Sequence, residues 1–130
     1  MKLYVIEAQT EVMQDAAASS EMVAVCRVTW VECLAAMARR VRENPHDGAA
    51  IAQARQRFVA DWPRFLVLEI TQNMVELAGE HADTFALRAY DSMQLAATEL
   101  THLARPGAVK FACFDTRLAK AARVLGIEAL

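Results

Sequence analysis

The sequence is poor in cysteine, glycine and proline, and it has no long hydrophobic run. Its three cysteines, Cys26, Cys33 and Cys113, are far apart and form no CxxC pair, so we expect neither a disulfide framework nor a zinc knuckle. No stretch approaches the roughly 18 apolar residues of a membrane span, and the first residues lack the basic segment and apolar run of a signal peptide. We therefore predict a cytoplasmic protein with no membrane partner.

The chain also has no large excess of either charge. A net charge of −2 and a pI of about 5.9 argue against a surface that grips nucleic acid along its whole length, so any nucleic acid must be bound locally. His46, His81 and His102 have neither HxxxH spacing nor cysteine partners, and we expect surface or helix-face residues rather than metal ligands. Hydrophobic residues make up 55% of the chain, enough for one folded domain over residues 1–130.

Amphipathic helical stretches alternate with short runs rich in β-branched and aromatic residues, a pattern typical of an α/β layer fold. The nearly continuous apolar runs predict strands of a parallel sheet at 22–28, 66–70, 110–114 and 127–130. Helices are predicted at 29–43, at 47–62, after a Thr71 N-cap, at about 88–103, and from Thr116 to the terminator Gly126. Their apolar stripes, which include Leu103, are predicted to pack in the core. Residues 1–20 have the pattern of one or two short helices, so we expect the first strand of the sheet to be missing.

Three acidic residues stand where helices begin. Glu32 lies in the first turn after strand 22–28, Asp115 directly follows strand 110–114, and Asp91 stands at the head of the helix in RAYDSMQLAATEL. Ligands of open parallel sheets bind beyond the carboxyl ends of the strands, where these acids can converge. Taken singly, Asp91 and Asp115 could be N-caps, and Glu32 could favour the helix dipole. Together, hard oxygen ligands without cysteine or histidine favour Mg²⁺ or Mn²⁺.

Three segments carry a resemblance to a known family: TWVECLAAMARR, LRAYDSMQLAATEL and FACFDTRLAKAARVLGIEAL. They resemble parts of PIN-domain ribonucleases, in particular the VapC-like toxins of type II toxin-antitoxin pairs. The resemblance implies a three-layer α/β/α sandwich with a short parallel sheet that uses Mg²⁺ or Mn²⁺ to hydrolyse RNA. It also implies a cognate antitoxin partner and a homodimer.

The resemblance assigns Glu32, Asp91 and Asp115 to the second, third and fourth acids of the family's metal site. The family's first acid ends an N-terminal strand, and no residue here matches it, so we expect roughly ten residues, about one strand and a turn, to be absent. Arg88 and Arg117 could bind the RNA phosphates or merely pair with the adjacent acids. Thr116 could contact a metal-bound water or help to cap its helix.

Two other functions remain open from the sequence. One is a catalytically inactive or truncated PIN-like domain that only binds an antitoxin or dimerises. The other is a generic α/β module in which all three acids serve their helices alone.

Overall fold

The computed structural model describes residues 3–5 and 8–130 of the chain. The chain divides into two compact units, residues 1–67 and residues 68–130. In the described residues, no helix is both long and apolar enough to cross a membrane. Helices and short paired strands alternate along the sequence, which confirms the predicted α/β class. The three-layer sandwich stays a prediction.

The described residues of the first unit form three α-helices and a two-stranded sheet. The N-terminal region has helical structure, as predicted, although residues 1, 2, 6 and 7 lie outside the described part of the chain. Both strands are shorter than predicted. The elements are α1 (Thr10–Ser19), β1 (Ala24–Cys26), α2 (Thr29–Glu43), α3 (Gly48–Asp61) and β2 (Leu66–Leu68), whose last residue opens the second unit.

Helix α2 ends where the sequence predicts it. Asn44 leaves the helical conformation, and Pro45, which has no N–H group to continue the ladder, begins a short 3-10 turn. Arg40 Nε then donates to Asp47 Oδ2 at 2.6 Å. This contact holds the turn against the last part of α2, and α3 starts directly after it.

The core of the first unit is aromatic. Phe58 of α3 is 2% exposed and lies within 5.5 Å, between ring centroids, of three aromatic rings: Tyr4, Trp30 and Trp62. Buried side chains of α2 and α3 complete the cluster: Cys33, Met37, Ile51 and Ala54. The predicted apolar stripes of these two helices therefore meet face to face, which removes their apolar surface from water.

The second unit contains three helices and a second two-stranded sheet: α4 (Gln72–Phe85), α5 (Ala89–Ala104), β3 (Lys110–Phe111), α6 (Thr116–Val124) and β4 (Glu128–Ala129). Thr71 caps α4 as predicted, because its side chain accepts the N–H of Met74. Strands β3 and β4 are parallel, as predicted, with Lys110 opposite Glu128. Gly126 has a φ of 77° just after α6, the conformation expected of a helix terminator.

The core of the second unit lies among α5, α6 and the β3–β4 sheet: Leu95, Cys113, Leu118, Ala121, Ala122 and Ile127. One prediction from the apolar stripes is wrong here: Leu103 is 64% exposed, since it lies in the last turn of α5. His81, expected at the surface or on a helix face, lies on the apolar face of α4 and is 5% exposed. Burial of His81 is compensated by Glu99, whose Oε2 lies 2.6 Å from Nε2.

Candidate functional site

The second unit has a pocket of about 360 Å³ at the N-terminal turns of α5 and α6. The connection between α4 and α5 forms one wall, and the start of α6 forms another. Five of the six predicted site residues line it: Arg88, Asp91, Asp115, Thr116 and Arg117. Ala86 and Leu87 complete the lining. The sixth, Glu32, lies in the first unit, in the first turn of α2 as predicted.

Asp115 is the N-cap of α6, which confirms the structural explanation of this residue. Its Oδ1 accepts the backbone N–H of Leu118 at 2.9 Å, satisfying one of the donors left open at a helix start. The cap uses one of the two carboxylate oxygens, and the residue also lines the pocket. Capping and ligand binding are therefore compatible at this position.

Asp91 does not cap α5, contrary to one of the two explanations that the sequence left open. The N-cap position belongs to Arg88, and Asp91 lies in the first turn, where the helix dipole favours a negative charge. Its Oδ2 is 3.6 Å from Nε of Arg88, whose side chain is 89% exposed. An ion pair this long and this exposed contributes little to stability.

Ser92, which the sequence did not single out, shapes the first turn of α5. It is fully buried, and both its hydroxyl and its backbone N–H donate to the carbonyl of Arg88, at 3.0 and 2.9 Å. The backbone beside Asp91 is thus fixed by a small polar residue. A lone serine after an acid gives no sequence signal for this role.

Arg117 links the start of α6 to the end of α4 by a hydrogen bond. Its Nη1 donates to the carbonyl of Ala86 at 3.1 Å. Ala86 is the C-cap of α4 and has a left-handed conformation, with φ 52° and ψ 44°. Glycine is the residue that usually indicates this conformation, so the alanine at position 86 does not predict the turn.

Both pocket acids act on one buried thiol. Burial raises the pKa of Cys113, a hydrogen bond with the backbone of Asp115 partly opposes this, and the negative charges of Asp115 and Asp91 raise the pKa further. The thiol is therefore kept protonated at neutral pH. The pocket lining carries two carboxylates and two guanidinium groups, so its formal charges balance.

The donors of the pocket fit a hard divalent cation. Its lining has two carboxylates and neither cysteine nor histidine, and Mg²⁺ commonly binds through one or two carboxylates while keeping several waters. Over residues 3–5 and 8–130, no group of three or more histidine, cysteine, aspartate and glutamate side chains is arranged to hold a metal. The pocket itself thus supplies two acids, Asp91 and Asp115.

A pocket that joins two carboxylates and two guanidinium groups at two helix starts, in an α/β protein, has side chains that suit a cation and a phosphate group. The family model described as PIN domain matches residues 3–124. The chain therefore belongs to the PIN domain family, whose members are generally nucleases that use divalent metal ions. No curated protein and no solved structure gives a significant match.

Proposed function

We propose that this protein is a Mg²⁺- or Mn²⁺-dependent endoribonuclease, the VapC-like toxin of a type II toxin-antitoxin pair. The observation that carries the proposal is the pocket that holds Asp91 and Asp115 together, in a chain that belongs to a family of nucleases. Its partners would be RNA, a cognate antitoxin and a second copy of the chain, in the cytoplasm. These partners and this location are carried by the resemblance of the sequence alone.

In this proposal, Asp91 and Asp115 hold the cation; the role of Glu32 as a further ligand or in positioning a water rests on the resemblance of the sequence alone. A divalent cation bound there stabilises the charge that develops on a phosphate and lowers the pKa of an attacking water. Thr116 lies beside Asp115 and Arg88 beside Asp91, so both line the approach to the acids. The exposed guanidinium of Arg88 can pair with an RNA phosphate, since its contact with Asp91 is weak.

The N-terminus of α6 is the second favourable feature for a phosphate. Thr116 and Arg117 are the first two residues of this helix, and open backbone N–H groups at a helix start attract anions. A phosphate in the pocket would therefore meet positive potential from the helix and from arginine. The carboxylates would face the cation instead.

A second function is favoured by one observation. In the described residues, no cluster of three or more metal-binding side chains is formed, and an active site with too few acids would bind a cation weakly. The alternative is a catalytically inactive PIN-like domain that only binds an antitoxin or dimerises. It differs from the first proposal in a single measurable property, RNA cleavage.

The test is cleavage of a mixed structured RNA by the full 130-residue chain, with Mn²⁺ titrated from zero. Asp91→Asn removes one pocket carboxylate charge, and Asp83→Asn, at an exposed position of α4 outside the pocket, is the matched control. We expect cleavage that depends on Mn²⁺, is abolished in Asp91→Asn and is retained in Asp83→Asn. Calorimetric titration with Mn²⁺ is run on all three proteins.

The outcomes separate the candidates. Absence of cleavage by the unchanged protein at every Mn²⁺ concentration would support the inactive alternative and overturn the nuclease, whether or not Mn²⁺ binds. Equal Mn²⁺ binding by the unchanged protein and by Asp91→Asn would show that Asp91 is not a ligand of the cation. Glu32→Gln, measured in the same way, tests the third acid: a nuclease site that includes Glu32 loses activity on this change.

A further inference from the structure

Arg117 occupies an unusual position among the residues of the pocket. It follows Asp115 by two residues, on α6, yet its side chain donates a hydrogen bond to the carbonyl of Ala86, on the other wall of the pocket. Ala86 lies five residues before Asp91. One side chain therefore connects the two segments that carry the pocket acids.

The acceptor explains why an arginine suits this place. Carbonyls at the C-terminus of a helix lack partners within the helix and carry the negative end of its dipole, so they favour a cationic donor. The carbonyl of Ala86 stands at the C-cap of α4. Its left-handed conformation turns the chain toward the connection that leads into α5, and Arg117 fixes that turn from outside.

The two acids have a reason to separate. Asp91 and Asp115 are like charges lining one pocket, and in the absence of a cation they repel each other. The connection that precedes Asp91 is short and exposed at Ala86 and Arg88. A hydrogen bond across the pocket wall opposes this separation before any cation binds.

We propose that Arg117 is a positioning residue: through its hydrogen bond to the Ala86 carbonyl, it holds Asp91 and Asp115 at the spacing that a divalent cation requires. This deepens the proposed function, on which the activity measurement below rests. The assignment differs from that of Arg88, which pairs weakly with Asp91 and is free to engage a phosphate.

Whether Mn²⁺ binding becomes tighter or weaker on removal of an arginine shows whether that arginine acts by its charge alone or also by positioning the acids. Removing a positive side chain from the pocket relieves its repulsion of a cation, so Arg88→Met should tighten Mn²⁺ binding. Arg117→Met removes the same charge and also the hydrogen bond across the pocket wall. If Arg117 acts by positioning, the loss of preorganisation outweighs the electrostatic gain, and Mn²⁺ binding weakens by about threefold to tenfold, the worth of one such hydrogen bond.

The experiment measures Mn²⁺ binding by calorimetry and amide hydrogen exchange by mass spectrometry without metal, on the full chain. Arg117→Met is compared with Arg88→Met and with Lys120→Met, which removes an exposed positive charge one turn later on α6. We expect weaker Mn²⁺ binding and faster exchange in residues 84–92 for Arg117→Met alone. Arg117→Gln, polar but too short to reach the carbonyl, replaces it if the methionine variant fails to fold.

The outcomes are distinct from those that test the nuclease. Unchanged exchange at 84–92, or Mn²⁺ binding tightened as in Arg88→Met, would overturn the positioning role. In the cleavage assay, positioning predicts a fall in kcat with little change in KM, whereas a contact with substrate raises KM. If the unchanged protein does not cleave RNA, the metal and exchange results still decide the role of Arg117.

Discussion

Asp115 is predicted to have two roles, as the N-cap of α6 and as a ligand of the cation, and different substitutions remove these roles independently. Asparagine caps a helix about as well as aspartate, whereas alanine cannot cap. Asp115→Ala should therefore lower the free energy of unfolding by about 1 kcal/mol, since it leaves the N–H of Leu118 without the acceptor that lies at 2.9 Å. Asp115→Asn should change stability by only a few tenths of a kcal/mol, because a lost dipole interaction is offset by relief of the repulsion from Asp91.

The two substitutions should be equivalent in Mn²⁺ binding, which both abolish or weaken strongly, since each removes the carboxylate charge. Asp91 supplies the control pair, because it does not cap its helix. Asp91→Ala should be at least as stable as Asp91→Asn, since alanine has the higher helix propensity by roughly 0.5 kcal/mol. Urea unfolding of the four variants and calorimetric titration with Mn²⁺ make the comparison. Equal stability of Asp115→Ala and Asp115→Asn would refute the cap, and unchanged Mn²⁺ binding in both would refute the ligand.

Three further predictions concern stability. Ala86→Gly should stabilise the protein by about 0.5 kcal/mol, because glycine relieves the left-handed strain at the end of α4. The control Ala82→Gly, inside the helix, should instead lower the free energy of unfolding by about 1 kcal/mol, measured by urea unfolding. Equal losses of stability in the two variants would contradict the strain at Ala86. Thr71→Ala should cost about 1 kcal/mol by loss of the α4 cap, with Thr71→Ser retaining most of it in the same assay. Burial and a hydrogen bond with Asp61 raise the pKa of Tyr4 above its ordinary 10.0, so the unfolded state loses this proton first and stability declines as pH rises past about 10. Tyr4→Phe should flatten that part of the stability curve, measured by unfolding from pH 8 to pH 11, and an unchanged slope would remove Tyr4 as its source.

The helices were the most predictable part of the fold because their signals are local. Helix α2 has the predicted bounds, Thr29–Glu43, since its apolar stripe lies within the segment and the Asn44-Pro45 pair directly follows it. The caps at Thr71 and Asp115 were predicted from residue type and were found. Capping chemistry depends on one side chain and a backbone N–H two or three residues later, so it can be recognised without knowing the rest of the fold.

Strand lengths and the burial of polar residues were less predictable, because both depend on distant partners. Residues 110–114 were predicted as one strand, but pairing with β4 involves only Lys110 and Phe111. No residue near His81 in the sequence indicates that Glu99, 18 residues further on, is its partner, and it is this contact that compensates the burial of His81. A histidine on an apolar stripe is ambiguous until the partner helix is known.

The pocket shows the same division between local and distant information. Asp91 and Asp115 were identified from the sequence because acids at helix starts form a recognisable pattern. The Arg117–Ala86 contact was not, since it requires a backbone conformation that alanine seldom adopts and an acceptor 31 residues away. From the sequence, Arg117 could contact a phosphate or pair with the adjacent acid, and only its observed acceptor suggests a positioning role.

Helix α4 ends at a wall of the pocket, and two polar contacts fix its C-terminal half. Toward the middle of α5, His81 pairs with Glu99 inside the unit, where few water molecules compete. At its end, the carbonyl of Ala86 accepts the bond from Arg117 in an exposed position. Because the buried contact is the stronger of the two, loss of Arg117 should loosen only the last turn of α4 and its connection to α5. The unit would stay folded while the spacing of its two acids changes. A substitution of Arg117 should therefore weaken cation binding without a large loss in the free energy of unfolding.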